Sequence, residues 1–116
     1  MDLSTRSDAE ILEIANPIMV NLMDASTAID HERHIRDFTD RAKGMLSKDW
    51  FLKICQDYQD NKGFFTRREF VAVLRRPDSI VIVWKQWFTI QHGEFLAELV
   101  LVQEDDRYLV DHVMVL

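Results

Sequence analysis

The last third of the chain predicts two consecutive β-hairpins with apolar side chains on both faces of the sheet. Runs rich in Val, Ile, Leu and aromatic residues fill positions 80–91, 94–104 and 107–116. His92-Gly93 and Asp105-Asp106 separate these runs, and short breaks of this composition are typical of hairpin turns. Soluble proteins rarely leave a large apolar face exposed. Helices of the same chain should therefore cover one face of the sheet and a further partner the other.

The first part of the chain predicts three helices. Ser7 and Glu10 have the spacing of a capping box, and apolar residues follow at helical intervals from Ile11 to Leu22. Pro17 should kink this helix or restart it. A second helix is expected from Asp30 to about Lys43, and a third, capped by Ser47, over 48–59.

Residues 64–75 contain signals for both helix and strand. Thr66 to Glu69 could cap a helix, but the residues around them include Phe64, Phe65 and Phe70, which favour a strand. The turn signal at 77–79 also favours a strand. The chain of 116 residues is therefore expected to form a single α+β domain (1–116), in which three N-terminal helices pack on a curved antiparallel sheet of about four strands.

Two-residue turns at both breaks predict which side chains share a face. They place Gln86 opposite Leu99, and Leu99 opposite His112, on a face that is otherwise apolar. A few polar groups in an apolar concavity are typical of a ligand pocket. The predicted pocket consists of Trp84, Gln86, Phe88, Leu99, Leu101, His112 and Met114, closed by Phe38 and residues of the first helix.

The same turns predict a second, largely apolar face with a charged cluster. Lys85 is expected to lie between Asp111 and Glu98, which neutralises these carboxylates and argues against acid–base chemistry there. An apolar centre with polar pairs is typical of a protein interface. A homodimer is therefore predicted through Lys85, Trp87, Glu98, Val100, Asp111 and Val113.

The sequence predicts no metal site and no cofactor. Residues 60–69 resemble part of an EF-hand loop, but Tyr58 and Lys62 fall where oxygen ligands belong. His31 and His34 have a spacing that allows one shared metal, although neighbouring arginines favour a solvated helix start. Cys55, the single cysteine, is expected to be a small buried side chain.

Composition restricts the partners and the location. A net charge of −6 without a concentrated basic face argues against nucleic-acid binding. No segment has the length and hydropathy of a signal peptide or a membrane span. One cysteine precludes an intrachain disulfide, so a cytoplasmic location is expected.

The layout resembles the nuclear-transport-factor-2-like superfamily, a cone-shaped α+β fold that includes ketosteroid isomerases and polyketide cyclases. The resemblance rests on the three helices, on Gly63-Phe64-Phe65 and on three tail segments, which are 84–89, Gly93-Glu94 and 106–110. It implies a pocket between the helices and the concave sheet, and dimerisation through the outer face. The isomerase pattern also needs a tyrosine on the first helix, which this chain lacks.

Three hypotheses for function follow. The first is a homodimeric, non-catalytic protein that binds a small apolar ligand or acts as a scaffold. The second is a small isomerase, cyclase or dehydratase with His112 as general base, Gln86 as an orienting donor, and Asp37 or Asp40 as a partner of His112. The third is an adaptor that uses an exposed surface to bind another protein.

Overall fold

The helices precede the strands, as predicted, and the domain is α+β. A computed structural model describes residues 2–116. A short 3-10 turn at Leu3–Thr5 comes first. The elements that follow are α1 (Asp8–Ala28), α2 (His31–His34), α3 (Asp40–Gly44), α4 (Lys48–Asn61), β1 (Phe65–Arg75), β2 (Ile80–Phe88), β3 (Phe95–Glu104) and β4 (Arg107–Val115).

Helix α1 begins at the predicted capping box and continues through Pro17 without a break. The Ser7 hydroxyl accepts the Glu10 N–H, and the Glu10 carboxylate accepts the Ser7 N–H. Pro17 lies on the exposed side, where the carbonyl that loses its N–H partner can bond to water. The helix ends at Ile29, which adopts a left-handed conformation with φ 53°. No helix among the residues described is long and apolar enough to cross a membrane.

The prediction of one continuous helix over residues 30–43 is wrong. The structure has two short helices in this region, α2 and α3, separated by a non-helical segment. Between them Phe38 forms a parallel bridge with Val110 of β4. The Val110 N–H donates to the Asp37 carbonyl at 2.7 Å, and the Thr39 N–H donates to the Val110 carbonyl at 2.9 Å. Backbone groups that bond to a strand cannot also form helical bonds, so the helix stops here.

The four strands form one antiparallel sheet in the order β1-β2-β3-β4. Residues 65–75 are a strand, which confirms that prediction. The turn at Asp105-Asp106 is also confirmed, since Glu104 pairs with Arg107. Asp105 has φ 55°, as a tight hairpin turn requires.

The predicted register between β2 and β3 is wrong by four residues. Gln86 pairs with Phe95, not with Leu99. The chain leaves the β2–β3 ladder early, because the Thr89 N–H donates to the Phe64 carbonyl and the Ile90 N–H to the Lys62 carbonyl. The connection is therefore a loop over residues 89–94 and not a two-residue turn at His92-Gly93.

The predicted register between β3 and β4 holds only as far as Val110. A bulge follows, so that Leu99 pairs with Val113 and Val100 pairs with His112. Asp111 is the additional residue. The Thr39 hydroxyl and the Arg41 Nε hold its carboxylate at 2.9 and 3.1 Å. Every side chain after the bulge consequently faces the side opposite to the one predicted.

One face of the sheet packs against α1 and is called the inner face. Its core consists of apolar residues that alternate along the strands and along the helix, chiefly Ile11, Ala15, Met19, Leu22, Ile80, Ile82, Trp84, Ala97, Leu99, Leu101 and Val110. The other face, called the outer face, is not covered by any helix within residues 2–116. The helix-covered sheet that the sequence predicts is therefore the observed architecture.

Candidate functional site

Five residues of the predicted pocket are buried core residues, and none of them lines the largely apolar cavity described below, namely Trp84, Gln86, Phe88, Leu99 and Leu101. Gln86 has no exposed surface. Its Nε2 donates to the carbonyls of Arg67 and Trp87 at 3.1 and 2.9 Å. Arg67 lies in a bulge of β1, where its carbonyl has left the regular ladder. Gln86 therefore satisfies a strand irregularity, which is a structural role.

His112 and Met114 face away from Gln86. The bulge sends both to the outer face, where the His112 Nε2 lies 3.1 Å from the Glu98 Oε1. Asp37, a suggested partner for His112, lies 3.8 Å from Arg107. The predicted pair of Gln86 and His112 in one pocket is therefore wrong.

Four of the predicted interface residues share the outer face, namely Lys85, Trp87, Glu98 and Val100. The bulge places Val113 on the inner face and Asp111 beside Thr39 and Arg41, which corrects two of the six assignments. The charged cluster also differs, because Lys85 pairs with Glu94 at 3.3 Å. The Arg67 guanidinium lies 3.8 Å from the ring centre of Trp87 and covers part of this face.

A cavity of about 360 Å³ lies between the helices and β4, away from the predicted position. Its walls come from the end of α1, from α2, α3, α4 and from β4, and they are mostly apolar. Phe38, which was predicted to close the pocket around Gln86 and His112, lines this cavity instead. The other lining residues are Met23, Ser26, His34, Arg41, Ala42, Met45, Leu46, Trp50, Phe51, Ile54, Cys55, Tyr58, Phe65 and residues 111–115.

The floor of the cavity is the free edge of the sheet. β4 is the last strand in the order, and the cavity touches its five consecutive residues 111–115. Successive strand residues point to opposite faces. A cavity that meets all of them must therefore run along the strand edge, which is how His112 and Met114 contribute to its wall.

His34 is the most informative polar group of the cavity. It is only 6% exposed, and its ring packs against Phe51 with 4.6 Å between centres. Its Nδ1 lies 3.1 Å from the Leu22 carbonyl. A carbonyl only accepts, so Nδ1 carries the proton of the neutral ring and Nε2 keeps a lone pair. Within residues 2–116, Nε2 has no hydrogen-bond partner.

Burial keeps His34 neutral. Desolvation lowers its pKa from 6.5 to about 4, and the bond to the Leu22 carbonyl only partly opposes this shift. A histidine with such a pKa is a weak base at neutral pH but a good hydrogen-bond acceptor. The ring can therefore receive a donor group of a ligand.

Two further cavity residues titrate outside the neutral range. Burial raises the pKa of the Cys55 thiol and that of the Tyr58 hydroxyl. The Tyr58 hydroxyl donates to the Val115 carbonyl and fixes α4 to the edge of β4. Neither group has the lowered pKa expected of an activated nucleophile.

An ion pair lies at the rim of the cavity. The Arg41 Nη2 and the Asp111 Oδ2 are 3.0 Å apart. The bond from Arg41 is the main reason why the pKa of Asp111 lies below its ordinary value, and the bond from Thr39 contributes. The rim is thus polar but internally neutralised.

No group of three or more His, Cys, Asp or Glu side chains within residues 2–116 could hold a metal ion. His31 does not face the cavity with His34 as a metal pair, since its Nε2 lies 2.8 Å from the Leu46 carbonyl. The resemblance to an EF-hand ends at Gly63, which turns the chain into β1 with φ 89°.

The sequence alone missed the role of His34. The only sequence signal for burial of His34 is its spacing to two apolar residues, Phe38 and Ala42, which follow four and eight positions later. In a continuous helix this spacing would place His34 on the same apolar stripe. The strand edge could not be found, because it depends on the order of the strands and on the Asp111 bulge.

Comparisons with solved structures agree on the fold. A provisionally assigned calcium/calmodulin-dependent protein kinase type II association domain from Thiobacillus denitrificans is 12% identical, with a TM-score of 0.62, over 86% of this chain and 91% of that one. An SEC-C motif protein from Rhodopseudomonas palustris, RPA3114, is 8% identical, with a TM-score of 0.58 and 89% of each chain covered.

A third structure, Bd1075 from Bdellovibrio bacteriovorus, is 8% identical with a TM-score of 0.53. The match covers 94% of this chain and 42% of that one. No family model matches the sequence, and no curated protein matches it. The chain has the nuclear-transport-factor-2-like α+β fold, which confirms the resemblance at the level of architecture.

Proposed function

We propose that this protein binds a small apolar molecule in the cavity between its helices and the edge of β4. The observation that carries the proposal is the Nε2 of His34, which has no hydrogen-bond partner within residues 2–116, in a largely apolar chamber of about 360 Å³. A ligand of suitable size gains free energy from apolar burial, and one donor group can bond to His34. The ligand is thus a largely apolar molecule with a hydroxyl or similar donor.

The chemistry of the lining favours binding over catalysis. His34 is a weak base, the thiol of Cys55 is held protonated, and the Arg41–Asp111 pair is neutral as a unit. His112, the base of the enzymatic hypothesis, is engaged by Glu98 on the outer face.

The test compares 1-naphthol with naphthalene, which lacks the hydroxyl. Isothermal titration should show that the protein binds 1-naphthol, and that His34→Phe weakens this binding by about tenfold or more because the acceptor is lost. Naphthalene should bind the variant as well as it binds the wild type. Equal loss for both probes would assign His34 a purely structural role.

Filling the cavity gives an independent test. Ala42→Leu places extra atoms in the chamber and should abolish binding of both probes. Ala9→Leu is the matched control, because Ala9 is an exposed residue of α1 far from the lining. Binding that survives in Ala42→Leu would locate the ligand elsewhere and refute the proposal.

A second candidate function is self-association through the outer face. Leu74 and Leu96, which are 53% and 41% exposed, lie on this face, with Leu74 opposite Val81 and Leu96 opposite Lys85. The Thiobacillus denitrificans protein with a similar fold is provisionally described as an association domain. A homodimer would cover the outer face, which the helices between residues 2 and 116 leave uncovered.

Sedimentation velocity tests the self-association. The wild type should sediment as a dimer at micromolar concentrations, and Leu96→Glu as a monomer with an unchanged circular dichroism spectrum. Leu52→Glu on α4 is the control, since Leu52 is 42% exposed but lies away from the sheet. A wild type that remains monomeric would refute this candidate.

A further inference from the structure

The hydrogen-bonding groups of β4 that face the cavity follow from the alternation of an antiparallel ladder. Leu96 and Leu116 exchange both N–H to carbonyl bonds, each at 2.7 Å. Bonded and non-bonded pairs alternate along such a ladder. Counting from the bonded Leu96–Leu116 pair, the pair formed by Leu99 and Val113 is the third one further along the ladder. An odd number of steps from a bonded pair leads to a non-bonded one. The N–H and the carbonyl of Val113 consequently point outward, to the free edge.

Three of the neighbouring outward groups already have partners. The Val110 N–H and carbonyl bond to Asp37 and Thr39 on one side. On the other side the Val115 carbonyl accepts the Tyr58 hydroxyl. Val113 has no such partner within residues 2–116, and it lines the cavity. The open part of the edge is thus short and enclosed at both ends.

An adjacent donor and acceptor at the wall of an apolar chamber define the chemistry of a complementary ligand. The carbonyl of Val113 requires a donor, and its N–H requires an acceptor beside that donor. A cis-amide, as in a lactam, presents this pair in one plane. An extended peptide needs a longer row of free groups than the stretch between Val110 and Val115 offers.

We propose that the cavity recognises a planar apolar molecule carrying a lactam or similar cis-amide, which pairs with the backbone N–H and carbonyl of Val113. This inference rests on the proposed function, because it names the ligand class of the same cavity. Both bonds form in a largely apolar chamber, where an unpaired polar group is costly. A ligand lacking either partner should bind more weakly than the lactam.

The experiment uses 2-quinolinone, 1-methyl-2-quinolinone and quinoline as probes. They share a bicyclic ring system, but the second lacks the donor and the third lacks the lactam. In ¹H–¹⁵N spectra, 2-quinolinone should shift the Val113 amide proton downfield, as expected when that N–H donates to a carbonyl. It should also bind about tenfold or more tightly than the other two.

A backbone variant separates the edge from the side chain. Val113→Pro removes the N–H, which is tolerable because this N–H lies on the free edge and not in the ladder. It should reduce binding of 2-quinolinone to the level of quinoline, whereas Val113→Ala, which keeps the N–H, should retain the preference. Should Val113→Pro fail to fold, the methylated probe alone tests the donor.

The outcomes distinguish the two proposals. If 2-quinolinone and its methylated form bind equally well, edge recognition is refuted while apolar binding stands. If 1-naphthol and all three quinoline probes fail to bind, the proposed function itself fails. Preferential binding of an extended Val-rich pentapeptide would overturn the inference, because a strand would then be the ligand.

Discussion

The buried, neutral state of His34 predicts that the protein loses stability in mildly acidic solution. The unfolded state carries a histidine of pKa 6.5, whereas the pKa of His34 in the folded state is about 4. Below pH 6.5 the unfolded state therefore binds more protons, and the free energy of unfolding falls as the pH falls. From these two pKa values, linkage predicts that the free energy of unfolding falls by about 2 kcal/mol between about pH 8 and about pH 5. The loss is complete near the folded pKa.

Urea denaturation at a series of pH values measures this effect, with His34→Gln as the control. Glutamine can donate to the Leu22 carbonyl but does not titrate, so the variant should lack this part of the pH dependence. Subtracting the two curves removes the contributions of all other groups. A ring-proton NMR titration of His34 with a midpoint near 6.5, or equal pH slopes for the two proteins, would refute the reasoning.

Two further predictions concern positions fixed by the backbone. Gly63→Ala should lower the free energy of unfolding by about 2 kcal/mol or more, because φ is 89° and the new Cβ would lie 2.2 Å from the Thr89 hydroxyl oxygen. Gly93→Ala, with φ 113° but open space around it, should cost less in the same urea titration. Gln86→Leu should cost about 1–3 kcal/mol by calorimetry, since it leaves the Arg67 carbonyl unpaired in its bulge; an unchanged melting temperature would contradict this.

Local patterns predicted the parts of the fold that local chemistry determines. The Ser7 capping box, the Ser47 cap and the turn at Asp105-Asp106 depend on residues within a few positions of one another, and all three are present. The overall order of helices and strands follows from apolar periodicity, which also reflects neighbouring residues. The α+β architecture could therefore be predicted correctly.

Long-range bonds determined the parts that could not be predicted. Phe38 leaves the helical path for a bridge with Val110, and the Asp111 bulge is held by Thr39 and Arg41 from more than sixty-five positions earlier. No pattern of neighbouring residues predicts either contact. Because a single extra residue reverses the facing of a strand, this one bulge moved His112 out of the predicted pocket.

The same contacts that limit the open edge of β4 also bear on how the protein avoids polymerising. An unprotected edge strand offers a template on which other chains can add strands and form aggregates. The bonds around the Phe38 bridge and the bond from the Tyr58 hydroxyl occupy outward backbone groups of Val110 and Val115, and so interrupt the row of free groups on which a further strand would pair. The opposite edge, β1, carries two bulges and the charged run Arg67, Arg68 and Glu69, which disfavour pairing in another way. Substitutions that release Tyr58 from Val115 should therefore promote fibre formation before they unfold the domain.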